Sequence, residues 1–153
     1  MNKINLHPKV KKIKDEIIEN RRYFHKFPEL SFQEFNTSKT IVDKLTNMGI
    51  DVESGIAKTG VSGLITGSKP GKTIALRADM DALPLQETSD VPYKSVNDGV
   101  MHACGHDGHI AMLLGAAQVI NQLKANIEGK VKLIFQPAEE GPAGAKYMID
   151  EGI

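Results

Sequence analysis

The 153-residue sequence has a single cysteine, no tryptophan and only 5% aromatic residues. One cysteine cannot form an internal disulfide, which excludes a small disulfide-stapled scaffold. The 19 Lys and Arg residues balance 19 Asp and Glu residues, so no basic surface for nucleic acid or an anionic membrane is expected. No apolar run in the sequence approaches the roughly 20 residues that a membrane span needs.

The first residues also lack a targeting signal. Met1–Lys14 is polar and lysine-rich, without the central apolar stretch of a signal peptide. We therefore expect a soluble, cytoplasmic protein that binds neither nucleic acid nor membrane. With 41% hydrophobic residues, the chain has the composition of one globular domain.

Apolar residues at helical spacing predict two helices before the first strand. The first helix lies between Pro8 and Pro28, because proline suits a first helical turn and disfavours continuation of a helix. The second is predicted to begin at Ser31, which forms a capping-box pattern with Glu34. Gly49 is expected to end it in the left-handed conformation.

The rest of the chain alternates between strand and helix patterns. Turn residues Gly67–Gly71 predict that the second and third strands pair as an antiparallel hairpin. A polar, irregular stretch at Gln86–Val100 is too long for an ordinary connection. The helix between the third and fourth strands predicts a parallel βαβ unit and thus an α/β fold. The predicted elements are strands at Asp51–Ser54, Val61–Thr66 and Thr73–Ala78, a helix at Asp107–Ala125, a strand at Lys130–Gln136 and a final helix from Ala143.

Two carboxylates, Asp79 and Asp81, directly follow the third predicted strand. Ligands of α/β sheets bind just beyond the carboxyl ends of strands, and residues two apart there can face the same side. A solvated turn with an Asx cap explains the same residues. Considered alone, this pair favours that turn over a binding site.

The segment His102–His109 contains one thiol, three imidazoles and one carboxylate. Cysteine and histidine are ligands that borderline-soft cations prefer. Cys104 and His106 are too close in sequence to share a helical face, but they can converge on one ion from a loop that leads into a helix. A nucleophilic Cys104 with His106 as its base is the competing interpretation. No nucleophile elbow supports it, so the segment predicts a metal site.

The adjacent pair Glu139 and Glu140 follows the last predicted strand. Neighbouring side chains in an extended loop point in opposite directions, so we expect one carboxylate to bind metal while the other faces water. Two solvated glutamates near a helix N-terminus would explain the pair alone. With the other two clusters, the pair predicts a hydrolytic site, where a metal lowers the pKa of water to about 7 and a free carboxylate moves the proton to the leaving nitrogen.

The three clusters resemble, in order, motifs of the amidohydrolase branch of the aminoacylase/carboxypeptidase family of dinuclear metallohydrolases. The matching segments are Leu76–Pro84, Met101–His109 and Phe135–Gly141, and His25–Leu30 resembles the family's N-terminal motif. That branch includes hippurate hydrolases, N-acyl-amino-acid deacylases and plant auxin-conjugate hydrolases. The resemblance extends over most of the chain.

The resemblance implies a role for each matching residue. Cys104 and His106 correspond to metal ligands, with Cys104 bridging two ions, and Glu140 corresponds to a third ligand. Glu139 corresponds to the catalytic general base that activates water. Asp81 corresponds to the catalytic aspartate that orients a ligand, which fixes the tautomer and basicity of that ligand.

The implied activity is hydrolysis of the amide bond of N-acyl amino acids or related small amides. Two divalent ions are implied in the complete enzyme, with zinc, manganese, cobalt and nickel as candidates. Asp79 corresponds to a position where a related branch carries a histidine ligand, so it is expected to have only a supporting role. His109 is expected to support a ligand or the structure.

The implied fold is an incomplete three-layer αβα zinc-peptidase-like catalytic domain with a mixed sheet. Residues 1–153 are expected to form its N-terminal part, because family members are longer and carry two further histidine ligands and a lid domain that supports dimerisation. Activity is therefore expected in the complete protein, as a homodimer or larger assembly. The alternatives are a catalytically incompetent truncated remnant or interaction module, and a metallo-carboxypeptidase or dipeptidase of the same family.

Overall fold

The computed structural model describes residues 7–141 and 143–153, so part of the polar segment Met1–Lys14 lies outside the described residues. The helices are α1 (Pro8–Lys12), α2 (Lys14–Lys26), α3 (Phe35–Asn47), α4 (His106–Gln122) and α5 (Gly144–Asp150). The strands are β1 (Asp51–Ile56), β2 (Gly60–Thr66), β3 (Lys69–Asp79) and β4 (Glu128–Gln136). A short 3-10 turn at Lys124–Asn126 joins α4 to β4.

The four strands form one mixed sheet in the order β1-β2-β4-β3. β3 and β4 are parallel and are connected through α4, which confirms the predicted βαβ unit. β2 pairs antiparallel with β1 on one side and with β4 on the other. The predicted hairpin between β2 and β3 is wrong, because β4 lies between them. Phe135 pairs with Val61 on one side and with Ala78 on the other.

The Gly67–Gly71 segment crosses the start of β4, where it was expected to reverse the chain into an adjacent strand. The Gly67 N–H donates to the Gly129 carbonyl at 2.9 Å. A Cβ on Gly67 would lie 2.2 Å from the Ile127 carbonyl oxygen, and one on Gly129, which has φ +87°, would lie 2.0 Å from that of Lys72. Both positions therefore need glycine for this close approach of two backbones.

The N-terminal helical region differs from its prediction at Ile13. The single helix predicted up to Pro28 is divided there into α1 and α2, and Ile13 has φ −104° and ψ 7°. The Ile13 side chain is buried and lies near Gly115 of α4, beside Ile17. The break therefore coincides with the point where the helices pack on α4.

The capping box predicted from Ser31 and Glu34 is also wrong. Neither side chain bonds to the start of α3. Glu29 caps this helix, since its carboxylate accepts from the backbone N–H groups of Asn36 at 3.2 Å and Thr37 at 2.8 Å. The sequence contains the capping-box pattern, but both side chains form hydrogen bonds with residues distant in sequence.

The main core lies between the sheet and the layer formed by α2, α3 and α4. Leu133 and Phe135 of β4 are fully buried there together with Leu114 of α4. Ile134 alternates with them and faces the opposite side, where it packs with Met148 of α5. Helices therefore cover both faces of the mixed sheet, which confirms the predicted αβα class.

The segment Gln86–Val100 forms turns and bends without helix or strand, as predicted. It is anchored at its base by backbone bonds in both directions between Leu83 and Met101, each 3.0 Å long. None of the helices in residues 7–141 and 143–153 combines the length and apolar character required to cross a bilayer.

Candidate metal centre

Three predicted ligands meet near the carboxyl ends of β3 and β4, beside the start of α4. The Cys104 thiol, a His106 ring nitrogen and a Glu140 carboxylate oxygen all lie within 4.8 Å of one another. His106 is buried, whereas Cys104 and Glu140 are exposed. The structure thus brings together the three residues that the sequence analysis singled out, and their role as ligands remains a prediction.

Asp81 fixes the orientation of His106. The His106 Nδ1 lies 2.9 Å from the Asp81 backbone oxygen and 3.3 Å from its Oδ1. With Nδ1 donating to the Asp81 backbone oxygen, Nε2 is the nitrogen left for an ion. The hydrogen bond to Asp81 raises the pKa of His106 to about 9 against the opposing effect of burial, so a cation must displace a proton here.

The Asp81 carboxylate is itself held on several sides. Its Oδ2 accepts from the Ser31 hydroxyl at 2.8 Å and from the Glu140 N–H at 2.9 Å. Burial would raise its pKa, but the bonds from His106, Glu140 and Ser31 together lower the pKa of Asp81 to about 2. A permanent carboxylate therefore connects the His106 ring to the backbone of a second predicted ligand.

The two adjacent glutamates do not point in opposite directions, which corrects the sequence expectation. Oε2 of Glu139 lies 3.8 Å from Nε2 of His106, and Oε1 of Glu140 lies 4.0 Å from the same nitrogen. The expectation assumed an extended backbone, but Ala138 has φ +53°. The chain also bends at residues 139–141, so the alternation of an extended strand does not apply and both carboxylates approach the same nitrogen.

The Cys104 thiol lies at the same candidate centre. Its pKa is raised, chiefly by a hydrogen bond with Glu140 and secondarily by burial and nearby carboxylates. The thiol therefore carries its proton in this arrangement, and a cation would take the place of that proton. A thiolate, an imidazole and a carboxylate within 4.8 Å of one another are a suitable donor set for a borderline-soft divalent cation.

A second cluster shares His106. Ligand atoms of Asp79, His106 and His109 also lie within 4.8 Å of one another. Asp79 is nearly buried and lies 3.2 Å from Nη2 of Arg77 and 3.4 Å from Nδ1 of His109. The guanidinium therefore partly balances this carboxylate, and the supporting role of Asp79 and His109 stays a prediction.

His102, the first residue of the histidine-rich segment, belongs to neither group. Its ring is buried, and within the described residues both ring nitrogens lack a hydrogen-bond partner. Burial lowers its pKa to about 4, which keeps the imidazole neutral. The density of histidines in the sequence therefore overstates the number that face the candidate centre.

Sequence analysis missed a buried network next to this centre. His25 lies 2.7 Å from Oδ2 of Asp107 and 3.1 Å from Oε1 of Glu87, and Arg21 reaches Asp107 at 2.9 Å. The Glu87 carboxylate also accepts from the Ser95 N–H at 2.7 Å. The network joins α2, the 86–100 segment and the residue that follows His106. The only sequence signal for it was that His25 begins the N-terminal motif.

Sulfur, nitrogen and oxygen donors at the carboxyl edge of an α/β sheet are typical of metal-dependent hydrolases. A comparison with models of protein families leads to the same class, because the model of Peptidase family M20/M25/M40 matches residues 75–153. The chain belongs to this family, which confirms the resemblance drawn from its motifs.

Curated proteins are similar in sequence to nearly all of this chain. Thermostable carboxypeptidase 2 of Saccharolobus solfataricus is 57% identical over 94% of the chain, and hippurate hydrolase of Campylobacter jejuni is 47% identical over 98%. The crystal structure of the Bacillus subtilis YXEP protein, described as a dinuclear metal binding peptidase, superposes with a TM-score of 0.89 at 46% identity over 93% of the chain. The chain spans only 37%, 39% and 40% of these three proteins, respectively.

Proposed function

We propose that this chain contributes the thiolate-bearing part of a metal-dependent amidohydrolase that cleaves the amide bond of N-acyl amino acids. The observation that carries the proposal is the convergence of Cys104, His106 and Glu140 within 4.8 Å, with the carboxylate of Glu139 beside them. A purely structural cluster would not need an exposed thiol and an exposed carboxylate facing a buried imidazole.

Cys104, His106 and Glu140 would hold the cation. When bound, a divalent ion polarises a carbonyl group and makes water more acidic. The complete protein is proposed to use two such ions, and the donor set leaves zinc, manganese, cobalt and nickel as candidates. For the 153-residue chain alone we expect weak binding of at most one ion, because three ligands are too few for two ions.

Glu139 is proposed to be the general base. Its side chain is 41% exposed and lies 3.8 Å from His106, so it can reach both solvent and the candidate centre. It would accept a proton from the attacking water and deliver it to the leaving nitrogen, which releases a carboxylate and a free amine. Asp81 would keep the His106 ring in the orientation that presents Nε2.

The Campylobacter relative is named a hippurate hydrolase, and hippurate is an N-acyl amino acid. The Saccharolobus relative is named a carboxypeptidase. That name supports a second candidate function, the removal of C-terminal residues from short peptides. Both substrate classes place an amide beside a free carboxylate, so one site can serve either. N-acyl amino acids are the preferred candidates because the Cys104-Gly-His106 pattern resembles the amidohydrolase branch.

Two further expectations remain proposals. An exposed thiol ligand at Cys104 persists in a reducing compartment, which supports cytoplasmic location. A homodimer or larger assembly is proposed for the complete protein. A non-catalytic remnant or interaction module remains the competing proposal, and measured turnover by the product of the complete reading frame distinguishes it.

The decisive experiment compares Glu139→Gln with Cys104→Ala in the product of the complete reading frame. Metal content and hydrolysis of N-benzoyl and N-acetyl amino acids, with dipeptides as the comparison, are measured on the same samples. Glu139→Gln should keep its metal and lose about 10²- to 10⁴-fold in turnover, whereas Cys104→Ala should lose metal. Equal metal loss in both variants would reverse the two roles, and a wild type without turnover would support the remnant.

A further inference from the structure

Glu34 is a charged residue in a position that usually belongs to an apolar one. Its side chain is completely buried, with a residue exposure of 0%. Its two oxygens accept from different partners, Oε1 from the Ala138 N–H at 2.9 Å and Oε2 from the Thr59 hydroxyl at 2.6 Å. Burial raises the pKa of Glu34 despite these bonds. A buried carboxyl is costly, so its presence here requires a reason.

The partner of Oε1 is Ala138, which directly precedes Glu139 and Glu140 (the acid pair). Ala138 is fully buried and has φ +53°, a conformation that is uncommon for residues with a Cβ. Its carbonyl accepts from the Gly144 N–H at 3.1 Å. A Cβ on Gly144 would lie 1.8 Å from the Pro137 carbonyl oxygen, so the chain closes tightly on this turn.

Without Glu34, the Ala138 N–H would be buried without its partner, and the strained peptide would lose the bond that holds it. An extended Ala138 is the unstrained alternative. It would redirect the chain from residue 139 onward and so move both glutamates, which now lie within 4.0 Å of the same His106 nitrogen, away from the candidate centre.

We infer that Glu34 is a positioning residue for the acid pair. It holds Ala138 in the left-handed conformation and thereby directs Glu139 and Glu140 to the candidate centre. The inference rests on the proposed function, because it assigns Glu34 an effect on metal affinity. Glu34 does not belong to either cluster of candidate ligands, so it acts only through the backbone of residues 138–140.

The test compares three variants of the 153-residue chain. Glu34→Met fills a similar volume but removes the acceptor, and Glu34→Gln retains an oxygen for the Ala138 N–H. Thr59→Val breaks the other bond of the same carboxyl and leaves the turn untouched. Cobalt(II) affinity is followed through the thiolate-to-cobalt absorption band, and amide hydrogen exchange is measured at residues 138–140.

We expect Glu34→Met to weaken cobalt binding by about 10- to 100-fold, the range for residues that support ligands indirectly. It should also accelerate exchange at residues 138–140. Glu34→Gln and Thr59→Val should remain within about 3-fold of the wild-type affinity, even where Thr59→Val lowers stability. If Glu34→Met does not fold, Glu34→Asp, which shortens the reach of the carboxylate, should show both effects in the same direction.

Two results overturn the inference: exchange at residues 138–140 that is unchanged in Glu34→Met, or an equal loss of cobalt affinity in Thr59→Val. Absence of cobalt binding by the wild-type 153-residue chain instead contradicts the weak single-ion binding proposed for this chain. In that case local exchange alone decides whether Glu34 holds the turn.

Discussion

Two histidine–carboxylate clusters lie on either side of the α4 N-terminus, and they differ in how completely their polar atoms are paired. In the first, His25 bonds through both ring nitrogens to Glu87 and Asp107, and all three residues are buried. In the second, Nε2 of His106 lies 3.8 Å or more from the nearest glutamate oxygens, and Cys104 is exposed. Buried networks that are fully satisfied rigidify a fold, whereas converging donor atoms whose hydrogen bonds do not close within the cluster are available to a ligand.

The comparison shows that residue types alone do not separate structure from function. Each cluster contains one histidine and at least one carboxylate, and the consecutive residues His106 and Asp107 belong to different clusters. What distinguishes them is whether the hydrogen bonds close within the cluster. We therefore call the first the clamp (His25, Glu87, Asp107) and the second the metal corner (Cys104, His106, Glu140).

The largest effect on stability is expected from breaking the clamp. His25→Ala leaves two buried carboxylates without their shared partner, and loss of one member of a buried ion pair typically costs about 3–5 kcal/mol. Urea unfolding measures the change. Glu19→Ala, an exposed change on the same helix, should stay within about 0.5 kcal/mol. If both variants unfold at the same urea concentration as the wild type, the clamp is not a stabilising unit.

A substitution in the metal corner is expected to have a smaller effect, which is confined to the free energy of metal binding. Cys104→Ser removes a proposed direct ligand, and since indirect supports cost 10- to 100-fold, zinc affinity should fall by at least about 100-fold, or about 2.7 kcal/mol. Titration calorimetry with zinc measures it. Because Cys104 is exposed, the free energy of unfolding without metal should change by less than about 0.5 kcal/mol. Unchanged zinc affinity would remove the thiol from the site.

The smallest effect is a change in pH dependence. Burial would raise the pKa of Glu87, but bonds from Ser89, the Ser95 N–H and His25 outweigh it and lower the pKa from 4.5 to about 2. The resulting stability is present above pH 4.5 and is lost as the pH falls towards 2. Glu87→Gln removes this titration, so the stability difference between wild type and variant should shrink over that window in urea unfolding. Parallel curves for the two proteins would contradict the assignment.

Sequence patterns located the metal corner because its residues follow elements that local periodicity defines. Glu140 comes after β4 and His106 begins α4, and Asp81, which contacts His106, comes after β3. The rule that ligands gather at the carboxyl ends of strands therefore pointed to this region. The position of β4 between β2 and β3 was not predictable in this way. The turn chemistry of Gly67–Gly71 is compatible with a hairpin, and strand order depends on pairing between distant residues.

The same dependence on distant residues explains why the contacts of Glu34 and His25 could not be predicted from the sequence. Glu34 matches a capping-box pattern, but Ala138, 104 residues away, provides its actual partner. The clamp joins His25 to residues 62 and 82 positions further along. Motif resemblance pointed to His25 without a role, and no local rule predicted that Ala138 would adopt a left-handed backbone.

The central position of β4 has a consequence for the order of events during synthesis. β1 and β2 can form a hairpin as soon as they leave the ribosome, but β3 has no strand partner in the described sheet until β4 follows it. Topologies dominated by such distant pairings form slowly. β3 therefore has no neighbouring strand while α4 is being synthesised, and β4, which leads directly into Glu139 and Glu140, must pair with both β2 and β3 to complete the described sheet.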